Sequence, residues 1–259
     1  MTSEEKRYVE TCARIRRNIL AGALRAGANG AHLAPSLSCV EILVAAHEES
    51  RRGGKVILSK GHAGLALYAV MAEVGGLSAD EFATFENNGG CLPGQPSKNL
   101  ALGIEYSSGS LGMLLSYACG RALISKSRFF VVLGNGETNE GSVWESAMFA
   151  GSRGLKNLVV IVDDNHMQAD GSSCDVLKCD IASMFKSSGW DVVECDGHSV
   201  PALIDAFAGQ GDRPLAVVAQ TVKGKGVSFM ENAKEWHHSR ISQMQYDKAL
   251  QEIGGACGS

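Results

Sequence analysis

Phe129-Phe130-Val131-Val132-Leu133-Gly134-Asn135-Gly136-Glu137 and Leu158-Val159-Val160-Ile161-Val162-Asp163-Asp164-Asn165 decide the fold. Each stretch begins as a continuous apolar run rich in β-branched residues and ends in polar turn residues, as a strand buried on both faces does. Between them, residues 140–153 place Val143, Ala147 and Ala150 on one stripe, with Trp144 and Met148 beside it, which reads as a helix. Strand, helix, strand is a parallel βαβ unit, and ligands of parallel sheets collect at the carboxyl ends of strands. Asn135 and Asn165 stand at those ends. A small-residue turn with an oxygen-bearing side chain, and a second one on the neighbouring strand end, suits a divalent cation and the diphosphate it accompanies.

Outward from this unit the same reading continues. Residues 55–58 form a short strand delivering Ser59 to His62, and a helix follows from Leu65 to Val74, stopped by Gly75-Gly76. Residues 4–27 read as an amphipathic helix with Val9, Ala13, Ile15, Ile19, Leu20 and Leu24 inward and Arg14, Arg16 and Arg17 outward. Ser38 and Glu41 have the spacing of a capping box for a second helix. Residues 87–106, rich in Gly, Asn and Pro, make a long loop, and 109–123 turn from a Gly-rich loop into a helix. Helices over 181–188 and 200–208 alternate with strands over 190–195 and 215–221. The expectation is one α/β domain over 1–259, a mostly parallel sheet flanked by helices, with a disordered tail over about 254–259.

Composition excludes several classes. A net charge of −4 gives no electrostatic case for nucleic acid. No apolar run reaches membrane-spanning length, and the opening Met-Thr-Ser-Glu-Glu-Lys-Arg is too charged for a signal peptide. The 8 cysteines are scattered, and the near pair Cys174 and Cys179 lacks a second pair at metal-ligand spacing. All read as reduced, and most as packing residues, of a cytoplasmic protein.

The quoted strand ends resemble those of the thiamine-diphosphate (ThDP) enzymes, most closely the N-terminal half of transketolase. That family carries Gly-Asp-Gly, a βαβ segment and then Asn. Further segments match in order: Ser59-Lys60-Gly61-His62, Ser107-Ser108-Gly109-Ser110-Leu111-Gly112, Glu140-Gly141, Trp144-Glu145, Lys223-Gly224-Lys225-Gly226, Glu231 and Trp236-His237. Together they cover roughly residues 10–240. The resemblance implies a ThDP-binding, diphosphate-domain fold. It implies Mg²⁺ held by Asn135, Asn165 and the carbonyl of Met167, and cofactor contacts from His62, Gly109, Ser110, Leu111, Gly134, Gly136 and Glu137. Substrate-facing or catalytic roles fall to His32, His62 and His237, and Glu140 belongs to a carboxylate network that crosses between subunits.

The resemblance also implies a partner. A complete transketolase protomer has diphosphate-binding, pyrimidine-binding and C-terminal domains, and this chain matches the first. The expectation is one half of a split transketolase acting with a C-terminal-like chain in an α2β2 assembly, transferring a two-carbon ketol unit from a ketose-phosphate-type donor. Two rivals stand beside it: a 2-oxo acid decarboxylating, acyl-transferring subunit, and a non-catalytic partner with a degenerate cofactor site. Two departures from the family pattern motivate the last: Asn135 replaces an Asp, and Gln95 replaces a His before Pro96. Two more, Ala34-Pro35 in place of Gly-Gly and Met113-Leu114 in place of Gln-Gly, lie in substrate-facing loops and point away from an ordinary sugar-phosphate substrate. Lys223 and Lys225 read either as phosphate-attracting groups or as a solvated loop.

Overall fold

The computed structural model describes residues 1–209 and 211–255. In chain order the helices are α1 (Ser3–Ala26), α2 (Leu33–Ser38), α3 (Val40–Ser50), α4 (Gly64–Glu73), α5 (Ala79–Phe82), α6 (Met113–Ile124), α7 (Gly141–Arg153), α8 (Ser173–Val176), α9 (Ile181–Ser187), α10 (Val200–Ala208) and α11 (Gln243–Gly255). The strands are β1 (Lys55–Leu58), β2 (Phe129–Gly134), β3 (Leu158–Asp164), β4 (Asp191–Asp196) and β5 (Leu215–Gln220). The chain divides into two compact units, residues 1–40, 61–109 and 222–259 in the first and residues 41–60 and 110–221 in the second.

The second unit holds the whole sheet. Its order is β1-β2-β3-β5-β4, and every pairing is parallel. Parallel neighbours cannot be joined by a tight turn, so helices carry the crossovers and cover both faces. That cover is why β2 is buried along its whole length and β3 along all but its last residue. The α7–α9 side is keyed by Trp190, which is fully buried and donates from Nε1 to the Ala147 carbonyl (2.8 Å). Phe185 lies between the rings of Trp144 and Trp190, 5.1 Å from each.

In the first unit α1 packs on α4 and α11. Its start is fixed by a Thr2–Glu5 capping box. Two expectations for this helix are corrected. Arg16 is buried, because its Nε donates to the Lys225 carbonyl (3.1 Å), and Val9 is exposed. Ser38, expected to cap a second helix, closes the short α2, where its Oγ donates to the Pro35 carbonyl (3.0 Å). The expected disordered tail begins inside a helix: Gly254 and Gly255 close α11, and residues 256–259 lie outside the described residues. Among the described residues, seven cysteines are free, and no helix is long and apolar enough to cross a membrane.

His47 in α3 carries a consequence for acid stability. Its side chain is half-buried, but Nε2 is shut off from solvent without a hydrogen-bond partner. Burial, then the Arg51 charge, lowers its pKa to about 4. A base with a depressed folded pKa leaves stability untouched above the unfolded value. Stability is then lost as pH falls from about 6.5 towards 4, where only the unfolded chain takes the proton. Between pH 7 and pH 5, urea unfolding of the native chain should lose about 2 kcal/mol more than that of His47→Phe. Equal losses would show that this imidazole does not drive the acid sensitivity.

Candidate functional site

The carboxyl ends of β2 and β3 form a polar turn in the second unit. The Asn135 backbone N–H donates to the Asp163 carbonyl (3.2 Å), and the Asn135 carbonyl accepts from Thr138 N (3.2 Å) and Thr138 Oγ1 (2.7 Å). Both Asn135 and Asn165 are buried. Asn135 Nδ2 donates to Ser173 Oγ (2.5 Å), and its Oδ1 meets no donor among the described residues. Asn165 Nδ2 donates to Asp163 Oδ2 (3.3 Å), while its Oδ1 accepts from the Met167 N–H (3.1 Å). His166, with φ +58°, makes the bend that allows this.

Beneath the turn lies a buried charge network. Asp163 is fully buried; Lys60 Nζ pairs with its Oδ2 and Thr221 Oγ1 donates to its Oδ1. The neighbouring Glu137 is also buried. Its Oε1 accepts from Ser59 Oγ (2.5 Å) and Gly112 N (2.9 Å), and its Oε2 accepts from Gly134 N (3.2 Å). Burial pushes the Glu137 pKa above the ordinary carboxylate value, against the pull of these three donors and the Lys60 charge. Gly112 must be glycine here: its φ is +79°, and a Cβ would collide with Ser142 Oγ and lie 2.8 Å from Glu140 Cβ.

Strand alternation sends Asp163 and Asp164 to opposite faces of the sheet. On the Asp164 face, a cleft of about 420 Å³ opens beside the turn, lined in part by Asn135, Asp164, His166, Ser173, Cys179 and Gln220.

The first unit assembles histidines. His32, half-buried at the start of α2, lies 5.7 Å from His62, 5.4 Å from His237 and 4.5 Å from His238 between ring centroids; His62 and His237 are 5.3 Å apart. An antiparallel bridge between Ala31 and Ser239, with both N–H···O bonds at 3.0 Å, pins the two loops together. Gly30 (φ +69°) permits it, since a Cβ there would meet the Ser239 carbonyl oxygen at 3.0 Å. Gln95 packs over Gly109, whose added Cβ would lie 2.6 Å from Gln95 Oε1.

The residues singled out in the sequence therefore fall into two sets. His32, His62 and His237 come together in the first unit, which also holds Gly109. Gly134, Asn135, Gly136, Glu137, Asn165 and Met167 come together in the second. Ser110 and Leu111 are exposed ahead of α6, and Glu140 is exposed at the start of α7. Leu114 packs inward and Met113 is exposed. Lys223 is buried, so the solvated-loop reading fails for it, while Lys225 is exposed enough to face Glu231 at 3.9 Å. Sequence reasoning missed Asp163, Thr221 and Ser173, and did not single out Lys60 within its motif. A carboxylate inside an otherwise apolar buried strand was the available signal for Asp163, because such a charge survives burial only when paired.

A family model described as transketolase, thiamine diphosphate binding domain, matches residues 47–256. The chain belongs to this family. It is 32% identical over 246 residues to one of the subunits of an apulose-4-phosphate transketolase from Phocaeicola vulgatus, covering 87% of each chain. It is 31% identical over 242 residues to the 6-deoxy-6-sulfo-D-fructose transketolase subunit SqwG of a Clostridium species, covering 86% of this chain and 88% of that one. Human transketolase is 36% identical over 206 residues, but the chain spans only 33% of its length. The solved transketolase of Campylobacter jejuni superposes with a TM-score of 0.84 over 98% of this chain and 43% of that one; at 21% identity this likeness bears on fold alone.

The second unit's turn suits a diphosphate-bound cation of the hard, oxygen-seeking kind. Asn135 is buried, and with its Nδ2 taken up by Ser173 Oγ its amide lies beside the cleft, where an amide oxygen is a donor such a cation accepts. No group of three or more His, Cys, Asp or Glu side chains among the described residues is arranged to hold an ion; the oxygens beside the cleft include those of the Asn135 amide and the Asp164 carboxylate.

The network beneath the turn can be tested by stability. Lys60→Met leaves Asp163 buried and without its cation, and should cost about 3–5 kcal/mol in urea unfolding. Lys60→Met combined with Asp163→Asn removes both charges and should recover a substantial part of that loss. A double variant no more stable than Lys60→Met would show that packing, not charge, is what Lys60 contributes.

Proposed function

We propose that this chain is the N-terminal, diphosphate-binding subunit of a two-component, Mg²⁺- and ThDP-dependent transketolase working in the cytoplasm. Its complement is a C-terminal-like chain carrying the pyrimidine-binding domain, in an α2β2 assembly. The observation that carries the reading is the buried pair of amides, Asn135 and Asn165, at adjacent strand ends within a ThDP-binding-domain family. Relatives matched over most of their length are named as subunits of transketolases acting on apulose 4-phosphate or 6-deoxy-6-sulfo-D-fructose, which supports a two-carbon ketol transfer from a ketose-phosphate-type donor. Those names leave the 2-oxo acid reading without support.

In this reading Asn135, Asn165 and the Met167 carbonyl hold Mg²⁺. His62 meets the diphosphate, while Gly109, Ser110, Leu111, Gly134 and Gly136 line the cofactor's path. Glu137 holds Gly112 and Gly134 in place through its carboxylate. His32 and His237 face substrate and accept or return protons at its hydroxyl oxygens. Glu140 belongs to the contact with the second chain. When bound, ThDP supplies the nucleophilic carbon that makes and breaks the carbon–carbon bond.

The direct experiment uses the complex with the transketolase C-terminal-like chain encoded nearest to this one. Denaturing it and quantifying ThDP and Mg²⁺ should give near one of each per pair of chains. A stable complex that takes up neither, even with both supplied, would make this chain a structural partner instead. Asn135→Asp restores a negative charge beside the cation. It should lower the Mg²⁺ concentration needed for ThDP binding about 10-fold, the factor given by ~1.4 kcal/mol of added attraction. Unchanged or weaker Mg²⁺ dependence would remove Asn135 from the metal site.

A further inference from the structure

The end of the sheet opposite Asn135 carries a second cavity, of about 460 Å³. It opens where the chain leaves α3 for β1 and α6 for β2, and Arg52, Lys126, Ser127 and Arg128 line it together with the buried Glu49 and Phe130. Its wall is fixed by close packing. A Cβ on Gly54 would stand 2.9 Å from the Phe130 ring and 3.0 Å from the Glu49 carbonyl oxygen. Arg128 is held in place as well: Nη1 donates to Glu49 Oε2 (3.1 Å), Nη2 donates to the Phe207 carbonyl (2.9 Å), and the guanidinium carbon lies 4.9 Å from the Phe130 ring centre.

Charge in this cavity does not balance. Three cations share it with one carboxylate, on a chain whose net charge is −4. Both oxygens of that carboxylate are engaged, since Arg52 Nη1 donates to Glu49 Oε1 (2.6 Å) and Arg128 takes Oε2. Lys126 is exposed and meets no hydrogen-bonding or ionic partner among the described residues. Burial lowers the Arg128 pKa, with the Glu49 charge pulling the other way. Arg128 Nε is shut off from solvent and has no hydrogen-bond partner among the described residues. A half-buried guanidinium short of negative charge beside an unanswered ammonium is a site that an anion completes. Phosphate fits it chemically. Arginine forks match its oxygens, Lys126 adds a point charge and Ser127 a hydroxyl, and the volume leaves room for a small organic remainder.

We propose that this cavity binds a phosphate dianion, free or carried on a small metabolite, at the amino ends of β1 and β2. The same strands run from it towards Lys60 and Asn135, about 20 Å along β2 at the rise of a parallel strand. The cavity shares no lining residue with the polar turn at their other end, so binding needs neither Mg²⁺ nor ThDP.

The test is a ³¹P NMR titration of the full chain at pH 8 and constant ionic strength, with a chelator present. Inorganic phosphate and glycerol 3-phosphate are the probes. The excess linewidth should fit one saturable site, filled below about 20 mM. Arg52→Gln combined with Lys126→Gln should weaken binding about 10-fold or more, as loss of hydrogen bonds from charged donors does. Lys126→Glu breaks no contact of the fold and reverses a charge at the cavity, so it should weaken binding by a similar factor and serves where the double variant does not fold.

Glycerol 3-phosphate binding at least as tightly as phosphate would identify a phosphorylated metabolite as the ligand, and tighter phosphate would identify the free ion. Saturation by neither probe would overturn the proposal. So would a Lys126→Glu chain that binds phosphate as the native chain does, because the anion would then lie elsewhere.

Discussion

One buried carboxylate, Asp163, joins the carboxyl ends of four neighbouring strands. It lies on β3; Lys60 follows β1, Thr221 follows β5, and its backbone carbonyl receives the N–H of Asn135 at the end of β2. An ion pair this deep carries a desolvation cost that its attraction offsets only with good geometry and further hydrogen bonds. Thr221 and Asn165 supply those bonds. The arrangement is weak evidence for stability but strong evidence for specificity of position: only one register of the strand ends satisfies every partner. Each group that meets Asp163 is fixed relative to the others, including the amide of Asn165.

Glu137 does the same for the neighbouring turn. Its two oxygens gather one hydroxyl and two backbone N–H groups, from the segment after β1, the turn before α6 and the end of β2. Both carboxylates are therefore consumed in building the turn and neither is left to face a cation. In the proposed enzyme the cation's charge is met by the diphosphate, and the chain contributes oriented dipoles.

The sheet was legible because strands buried on both faces read as unbroken apolar runs, and the strand ranges differ from the expected ones by a residue or so at their ends. Helical detail was less legible where one residue serves a distant partner. Arg16 looks solvated by periodicity, yet it reaches a carbonyl at Lys225, and α11 carries two glycines at its end that read as a tail. The family-like motifs marked the histidines, but their assembly depends on the Ala31–Ser239 bridge, which no local pattern announces. The supporting groups were the hardest to see. Lys60 and Asp163 are far apart in the chain, and Ser173 is one serine among several until the fold sets it against Asn135.

The turn at position 135 keeps its shape with little help from the side chain. The backbone of that residue does the structural work: its N–H holds the end of β3 and its carbonyl is capped twice by Thr138, neither of which involves the side chain. Among the described residues, the side chain is hydrogen-bonded to Ser173 Oγ. A turn built in this way keeps its shape whether the side chain is charged or neutral, so the charge at position 135 can vary without the sheet registering it. In the proposed enzyme such variation would act on the field at the cation and not on the fold.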